Sequence, residues 1–88
     1  MDIVYLLYAE KFDRFYVGHS TDIDKRLAYH NSGKVKSTKA FAPWKVVYSE
    51  MFTNATDARS REKYFKSAAG RKFLKPIKDT VRVPRPND

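Results

Sequence analysis

With 88 residues the chain has the size of one small domain. Hydrophobic residues make up 42% of it, which supplies a core although a chain of this length buries only about 60% of its unfolded surface. The lack of cysteine excludes disulfides and thiolate metal sites, and fits a reducing, cytoplasmic location. No signal peptide and no run of about 20 apolar residues is present, so we expect no membrane partner.

Positive charge is in large excess, with 18 Lys plus Arg against 10 Asp plus Glu and a formal net charge of +8. Residues 1–33 are nearly balanced, and the excess lies in the Lys34–Lys45 segment and again between Arg59 and Lys78. Clustered positive charge is the electrostatic footprint of a polyanion binder, so nucleic acid is the expected partner. A basic protein without a polyanion partner is the alternative that charge alone leaves open.

The first two elements are predicted to be strands. Ile3–Tyr8 is apolar or aromatic on both faces, which is typical of a central strand covered on both sides. Phe15–His19 is a second, shorter strand. The polar segment Glu10–Arg14 is short enough for a hairpin loop, so the pair is expected to be antiparallel. Because that loop has no glycine, its turn type does not follow from the sequence.

A helix is predicted over Thr21–Ser32. Ser20 or Thr21 is expected to cap its start, and Gly33 follows its end as a C′ residue. One face of this helix, with Arg26 on its flank, combines Ile23, Leu27 and His30.

After a basic loop, Lys34–Pro43, the pattern predicts a third strand at Trp44–Phe52 and a second helix over Thr56–Gly70. Arg71–Lys75 has room for one more helical turn before Pro76. We therefore expect one domain over residues 1–78 and a flexible tail over residues 79–88. The fold class is α+β, with a small three-stranded antiparallel sheet flanked by helices in the order β-β-α-β-α and an optional short last helix.

Glu62 occupies an unusual position in the second predicted helix. With about 100° per residue, it falls within about 60° of Ala58, Phe65 and Ala69, inside the apolar stripe. A buried carboxylate costs several kcal/mol unless it is paired or binds a metal. An inward acid in a basic chain indicates a divalent cation facing a phosphate. The alternative is a partly buried ion pair with one of the arginines Arg26, Arg59 and Arg61.

Other candidate residues have plain structural alternatives when taken singly. Tyr5 and Tyr16 could be core aromatics, Arg26 a solvated helix residue and His30 a satisfied core histidine, while Gly18 indicates a bulge or a close approach to the backbone. Together they match phosphodiester cleavage, which needs a polarised water, a cation on the phosphate oxygens and a proton acceptor.

Five short motifs occur in a familiar order: Ile3-Val4-Tyr5, Tyr16-Val17-Gly18, Asp24-Lys25-Arg26-Leu27 with His30-Asn31, Lys39 with Pro43 and Val46-Val47-Tyr48 followed by Glu50, and Ala58 with Arg61-Glu62-Lys63. In this order the chain resembles the GIY-YIG nuclease superfamily, and in particular its small single-domain bacterial members. The resemblance covers residues 3–75. It departs from the family at Ile3, where a glycine is usual, at His19, where a lysine is frequent, and in having no evident match to a late asparagine.

The resemblance implies a β-β-α-β-α fold and hydrolysis of one nucleic-acid strand with a single divalent ion, Mg²⁺ or Mn²⁺. It implies that Glu62 is the metal ligand and that the catalytic residues are Tyr5, Tyr16, Arg26, His30 and Glu62. The residues expected to bind substrate are Gly18, His19, Lys34, Lys36, Lys39 and Lys45. Tyr16, beside Gly18 and His19, is the expected general base.

The leading hypothesis is therefore a metal-dependent endonuclease that cuts DNA with low sequence specificity, on particular DNA structures in repair or recombination. The alternative is a non-catalytic, basic nucleic-acid-binding domain that keeps the nuclease fold. A third possibility treats the basic loop as a docking surface for an acidic protein. DNA versus RNA and the oligomeric state do not follow from the sequence.

Overall fold

The computed structural model describes residues 1–82. Its strands and helices, in chain order, are β1 (Asp2–Ala9), β2 (Arg14–Ser20), α1 (Ile23–Asn31), β3 (Lys45–Phe52), α2 (Ala55–Phe65) and α3 (Ala68–Val81). The predicted α+β class and order of elements are confirmed. None of the helices within residues 1–82 is long and apolar enough to cross a membrane.

The three strands form one antiparallel sheet in the order β2-β1-β3. As predicted, β1 is the central strand, and it is buried from Val4 to Ala9 because neighbouring elements cover both of its faces. The register places Tyr5 opposite Gly18 and Leu7 opposite Tyr16. β2 and β3 are therefore both edge strands.

The turn between β1 and β2 is a 3₁₀ turn at Glu10–Phe12 followed by Asp13 in the left-handed region, with φ of 50°. Aspartate tolerates this conformation better than most residues, which explains how the turn forms without glycine. The Tyr8 hydroxyl donates to the Asp13 carboxylate at 3.0 Å and fixes the turn against the sheet.

Each face of the sheet covers its own core. On the face that packs against α1, the buried residues are Tyr5, Leu7, Ala9 and Trp44, with Tyr16, Ile23 and Leu27 packed against them. On the opposite face, which α2 and α3 cover, the buried residues are Val4, Leu6, Ala58, Phe65 and Leu74. The two cores place α1 and α2 on opposite sides of the sheet.

The start of α1 differs slightly from the prediction. Its N-cap is Asp22, whose carboxylate accepts a hydrogen bond from the Lys25 amide at 3.1 Å, and not Ser20 or Thr21. Ser20 instead accepts from the Asp22 amide and supports the capping residue. Gly33 follows the helix with φ of 81°, as predicted.

The predicted end of the second helix at Gly70 is wrong. α2 ends at Phe65, and Gly70 lies inside α3, whose N-cap is Ser67. A Cβ on Gly70 would lie 1.9 Å from the Tyr64 carbonyl oxygen, so glycine is needed for the close crossing of the two helices and not for a helix stop. Ala69 is consequently exposed in α3 and does not belong to the predicted apolar stripe.

α3 is also longer than the single turn predicted before Pro76. It has 14 residues and includes Pro76, which leaves the carbonyl of the exposed Lys72 without its helical donor. Because α3 continues to Val81, the predicted domain end at residue 78 is too early. The rest of the predicted tail, residues 83–88, lies outside the described residues.

An ion pair ties α2 to β3. Arg61 donates to both carboxylate oxygens of Glu50, with Nε–Oε1 at 2.8 Å and Nη2–Oε2 at 3.2 Å, and the Tyr48 hydroxyl donates to the same carboxylate. The guanidinium also lies 4.7–4.9 Å from the ring centroids of Tyr64, Phe65 and Phe73. The hydrogen bond from Arg61 lowers the pKa of Glu50. Arg61 is thus committed to Glu50 and is not the partner of Glu62.

We expect Glu50→Ala to lower the free energy of unfolding by about 1–3 kcal/mol, because it leaves a half-buried guanidinium and a phenol without their acceptor. The matched control is Lys75→Ala, which removes an exposed pair with Asp79 and should cost less than about 1 kcal/mol. Urea unfolding measures both.

The effect of Glu50→Ala should depend on pH. Since the fold lowers the pKa of Glu50, its stabilisation is present above the ordinary Glu value of about 4.3 and is lost as the pH falls through the lower, folded value. A cost of Glu50→Ala that stays the same from about pH 7 to about pH 3 would contradict this assignment.

Candidate active site

A cluster of polar aromatic residues lies between β1, β2 and α1. The rings of Tyr5 and Tyr16 both face His30, with centroids 6.0 Å and 5.0 Å from its ring. The hairpin register brings the two tyrosines onto the same face because Tyr5 lies opposite Gly18 and Leu7 opposite Tyr16. The two phenols and the histidine predicted from the sequence are therefore neighbours.

Tyr5, His30 and Thr38 form a buried hydrogen-bonded chain. The Tyr5 hydroxyl lies 3.1 Å from His30 Nε2, and His30 Nδ1 lies 2.8 Å from Thr38 Oγ1. The Thr38 hydroxyl donates to the Val35 carbonyl at 3.4 Å, so it accepts from His30 Nδ1–H. His30 Nε2 is then the acceptor, and Tyr5 donates its proton to it.

Burial and the nearby Arg26 determine the protonation of the hydrogen-bonded residues Tyr5 and His30. Burial and the nearby Arg26 guanidinium both lower the pKa of His30, which keeps the imidazole neutral at neutral pH. Burial raises the pKa of the Tyr5 phenol, while the nearby Arg26 guanidinium acts in the opposite direction. The result is a neutral proton acceptor, His30, next to a phenol whose anion Arg26 would stabilise.

Gly18 makes room for the Tyr5 ring. A Cβ at this position would lie 2.5 Å from the Tyr5 hydroxyl oxygen and 2.6 Å from the ring carbon that bears it. The glycine predicted to allow a close approach therefore does so, and the group that approaches is Tyr5 itself.

A cleft of about 410 Å³ opens on the flank of α1, next to Arg26. Its lining includes two cationic side chains and several hydroxyl groups, which suits a phosphate. The residues that line it are Ser20, Thr21, Asp22, Lys25, Arg26 and Tyr29.

Glu62 lies on the other side of β2. Its side chain is 22% exposed, and its two oxygens contact His19 Nδ1 and Lys66 Nζ, each at 3.1 Å. The carboxylate is thus half-buried and paired. Its partners are His19 and Lys66, and not Arg26, Arg59 or Arg61, which the sequence analysis gave as possible ion-pair partners. β2 carries residues of both parts of the site, since His19 contacts Glu62 while Tyr16 packs with the core on the α1 side.

The Glu62 carboxylate is the kind of ligand that a hard divalent cation takes. Its Oε1 accepts a hydrogen bond from His19 Nδ1 at 3.1 Å, so this nitrogen is occupied by the carboxylate and is not a free ligand. Within residues 1–82, no group of three or more His, Cys, Asp or Glu side chains could hold a metal. Mg²⁺ and Mn²⁺ suit such a site, since Mg²⁺ usually binds through one or two carboxylates and completes its shell with water and phosphate oxygens.

The lysines predicted to bind substrate are spread over the surface. Lys45 pairs with Glu10 at 3.3 Å at the far end of the sheet, so it does not join the site. Lys34 lies 5.1 Å over the ring of Tyr29, which lines the cleft beside Arg26. Lys36 and Lys39 are exposed on the loop between α1 and β3.

Two supporting residues were not identified from the sequence. Thr38 holds His30 from the loop between α1 and β3, and none of the motifs quoted from the sequence includes this threonine. Asn31 anchors that loop through hydrogen bonds to the backbone of Trp44, and the Trp44 indole donates to the Thr38 carbonyl at 2.8 Å. The position of Asn31 directly after His30 was the available clue to its role.

Comparison with known proteins gives a consistent result. The family model described as "GIY-YIG catalytic domain" matches residues 1–75. A UPF0213 protein of Lactococcus lactis subsp. cremoris is 47% identical over 68 residues, which cover 75% of this chain and 69% of that protein. A UPF0213 protein of Streptococcus pneumoniae is 45% identical over 53 residues, 59% of this chain, and the match spans about half (54%) of the relative.

The fold is also found in a solved structure. The solution NMR structure of the UPF0213 protein BH0048 from Bacillus halodurans aligns with 98% of this chain and 100% of its own, at 28% identity and a TM-score of 0.50.

Gly18→Ala should destabilise the protein by about 1–3 kcal/mol, because the added methyl group displaces a rigid, buried ring. Tyr5→Phe removes the nearest clashing atom, so the double variant should lose less stability than the sum of the two single variants. Thermal or urea unfolding of the four proteins measures this coupling. Strict additivity would show that Gly18 and Tyr5 are not in contact.

Proposed function

Because this chain belongs to the GIY-YIG catalytic-domain family, we propose that it is a divalent-metal-dependent endonuclease that hydrolyses phosphodiester bonds of DNA. The observation that carries the proposal is the buried chain from Tyr5 to His30 beside the Arg26 guanidinium. It offers a proton acceptor and a phosphate-binding cation in one place. Glu62 adds the carboxylate that a metal requires.

The hydrogen bonds suggest a proton path. Water attacking the phosphorus forms the new P–O bond and gives its proton to the Tyr5 hydroxyl oxygen, and the Tyr5 proton moves to Nε2 of the neutral His30. The bond from the phosphorus to the leaving sugar oxygen breaks, and that oxygen keeps the bonding electron pair and takes a proton from solvent water. Arg26 stabilises the negative charge that develops on the phosphate oxygens and on the phenol. This route favours Tyr5 as the base, whereas the sequence favoured Tyr16, which within residues 1–82 makes no hydrogen bond to His30.

Glu62 is the residue that would hold the metal, and His19 donates a hydrogen bond to the same carboxylate. When bound, a divalent ion would supply positive charge to the phosphate oxygens and polarise a water. Lys66, which contacts Glu62 at 3.1 Å, helps to fix the position of the carboxylate.

The proposed contacts are to phosphates, which fix position but carry no sequence information. We therefore propose low sequence specificity, and recognition of DNA by its structure in repair or recombination in the cytoplasm. The test is incubation with labelled duplex, single-stranded, flap and four-way-junction DNA and the matching RNAs, with Mg²⁺, Mn²⁺ or chelator. Binding of these substrates without cleavage under all conditions would leave the alternative, a nucleic-acid-binding domain.

Glu62→Gln should abolish metal-dependent cleavage, because it removes the charge that attracts the cation, while DNA affinity in chelator stays near that of the wild type. Calorimetric titration with Mn²⁺ should show one weak site in the wild type and none in this variant. Glu10→Gln is the control, since it makes the same charge change at an exposed pair away from the site. A Glu62→Gln protein that cuts DNA at the wild-type rate would refute the mechanism.

Tyr5→Phe should lower the cleavage rate by about 10²–10⁴-fold, and Tyr16→Phe by less, if the proton travels through Tyr5 to His30. The rate of the wild type should fall in acid, below the ordinary His pKa of about 6.5, because protonated His30 no longer accepts. Single-turnover rates from about pH 5 to about pH 8 measure both effects. A larger loss in Tyr16→Phe would assign the base to Tyr16.

A further inference from the structure

A second groove, of about 250 Å³, runs along the outer edge of β2 towards α3. It begins next to the site, because Tyr16 and the Glu62-bound Lys66 are both part of its wall. The residues that line it are Phe15, Tyr16, Val17, Phe65, Lys66, Arg71 and Lys78. We call it the β2-edge groove.

The β2-edge groove is cationic, and no carboxylate is among its lining residues. Lys66 is paired with Glu62, but within residues 1–82 neither Arg71 nor Lys78 forms an ion pair. Burial, together with the charges of Arg82 and Arg71, lowers the pKa of Lys78. An anion in the groove would relieve this repulsion.

Nearby acids do not cancel this charge. Asp13 and Asp79 both pair with Arg82, at 3.1 Å and 3.2 Å, and Asp79 also pairs with Lys75 at 2.8 Å. The two carboxylates are therefore occupied outside the groove lining.

Aromatic rings form the wall between the cations. Phe15 stacks on Tyr8 with centroids 4.5 Å apart, and Lys78 Nζ lies 5.1 Å from the Phe15 ring. Arg71 and Lys78 are two turns of α3 apart, or about 10.5 Å along its axis, close to the length of about three nucleotides of a strand. The Phe15 ring contacts Tyr8, Lys78 and Arg82, so it fixes the position of the cation at Lys78. Cations spaced to follow a phosphate backbone are one element of single-strand binding sites.

We propose that the β2-edge groove binds a single-stranded nucleic-acid segment that leads away from the phosphate held at the active site. The inference rests on the proposed nuclease function and narrows its substrate to DNA that carries an unpaired arm. An acidic peptide would also match the cations. The groove begins at Tyr16 and Lys66, beside the proposed phosphate site, so a nucleic-acid strand continuous with that phosphate is the better match.

The test compares two variants of equal net charge. Arg71→Gln/Lys78→Gln removes the free cations of the groove, and Lys63→Gln/Lys72→Gln removes two exposed lysines of α2 and α3 outside it. Fluorescence anisotropy with a labelled 12-nucleotide thymidine strand, in chelator and over a range of salt, measures binding without cleavage. Thermal unfolding first establishes that both variants fold.

The groove variant should bind the strand about 10-fold more weakly, and the slope of log affinity against log salt should fall by about 1.4, or 0.7 for each lost phosphate contact. The control should stay within about 2-fold of the wild type. Equal losses in both variants would overturn the proposal, since general charge would then explain binding. Equally tight, groove-dependent binding of a poly-glutamate of the same charge would also overturn it.

An NMR measurement on the wild-type protein tests the location of the bound strand without any substitution. In ¹⁵N-labelled protein, the same strand should shift the amide signals of residues 15–17 and 66–78. Shifts confined to other residues would reject the groove. Both binding measurements are made in chelator and so do not depend on cleavage. If the strand binds in the groove but the protein cuts no substrate, the proposed nuclease function is rejected and the proposal of a strand-binding groove stands. If the wild type cuts DNA and the Arg71→Gln/Lys78→Gln variant binds the single strand as tightly as the wild type, the proposed strand-binding groove is rejected and the nuclease function stands.

Discussion

The close contact between the Tyr5 ring and the backbone of Gly18 is the constraint on which the site depends. It lets β1 and β2 pair in full register while the Tyr5 phenol lies against Gly18 of the neighbouring strand. The hydroxyl then reaches His30 on α1, and His30 in turn is held by Thr38. A side chain at position 18 would displace Tyr5 and break the hydrogen bond between Tyr5 and His30. Gly18 therefore supports the candidate site by leaving space for the Tyr5 ring.

Electrostatics explain how one small domain keeps an inward acid and a neutral histidine. Glu62 tolerates partial burial because His19 and Lys66 contact its oxygens. His30 is buried and next to Arg26, and within residues 1–82 it has no carboxylate partner, so it stays neutral. His19 and Lys66 thus contact the Glu62 carboxylate on the α2 side of the sheet, while burial and Arg26 suppress protonation of His30 on the α1 side.

The sequence predicted the sheet and α1 because they follow simple periodic patterns with polar turns between them. Strand pairing is a local rule and allowed Tyr5 and Tyr16 to be placed on one face of the sheet, whereas His30 was grouped with them through the family resemblance. The prediction failed at Gly70 and α3, since a glycine required by a helix crossing looks the same as one that ends a helix. Thr38 and the partners of Glu62 depend on contacts between distant segments, for which a single sequence carries no pattern.

The position of β2 at the edge of the sheet explains how the parts of the site can act together. Its alternate residues point to opposite faces, so Gly18 and Tyr16 belong to the α1 side and His19 to the α2 side. In a central strand, neighbours would block any path from one face to the other. In the proposed function, a phosphodiester chain would pass this edge strand laterally and meet Arg26 and Glu62. The exposed edge, which most sheets must protect from unwanted pairing, would then be the surface that the proposed substrate reaches.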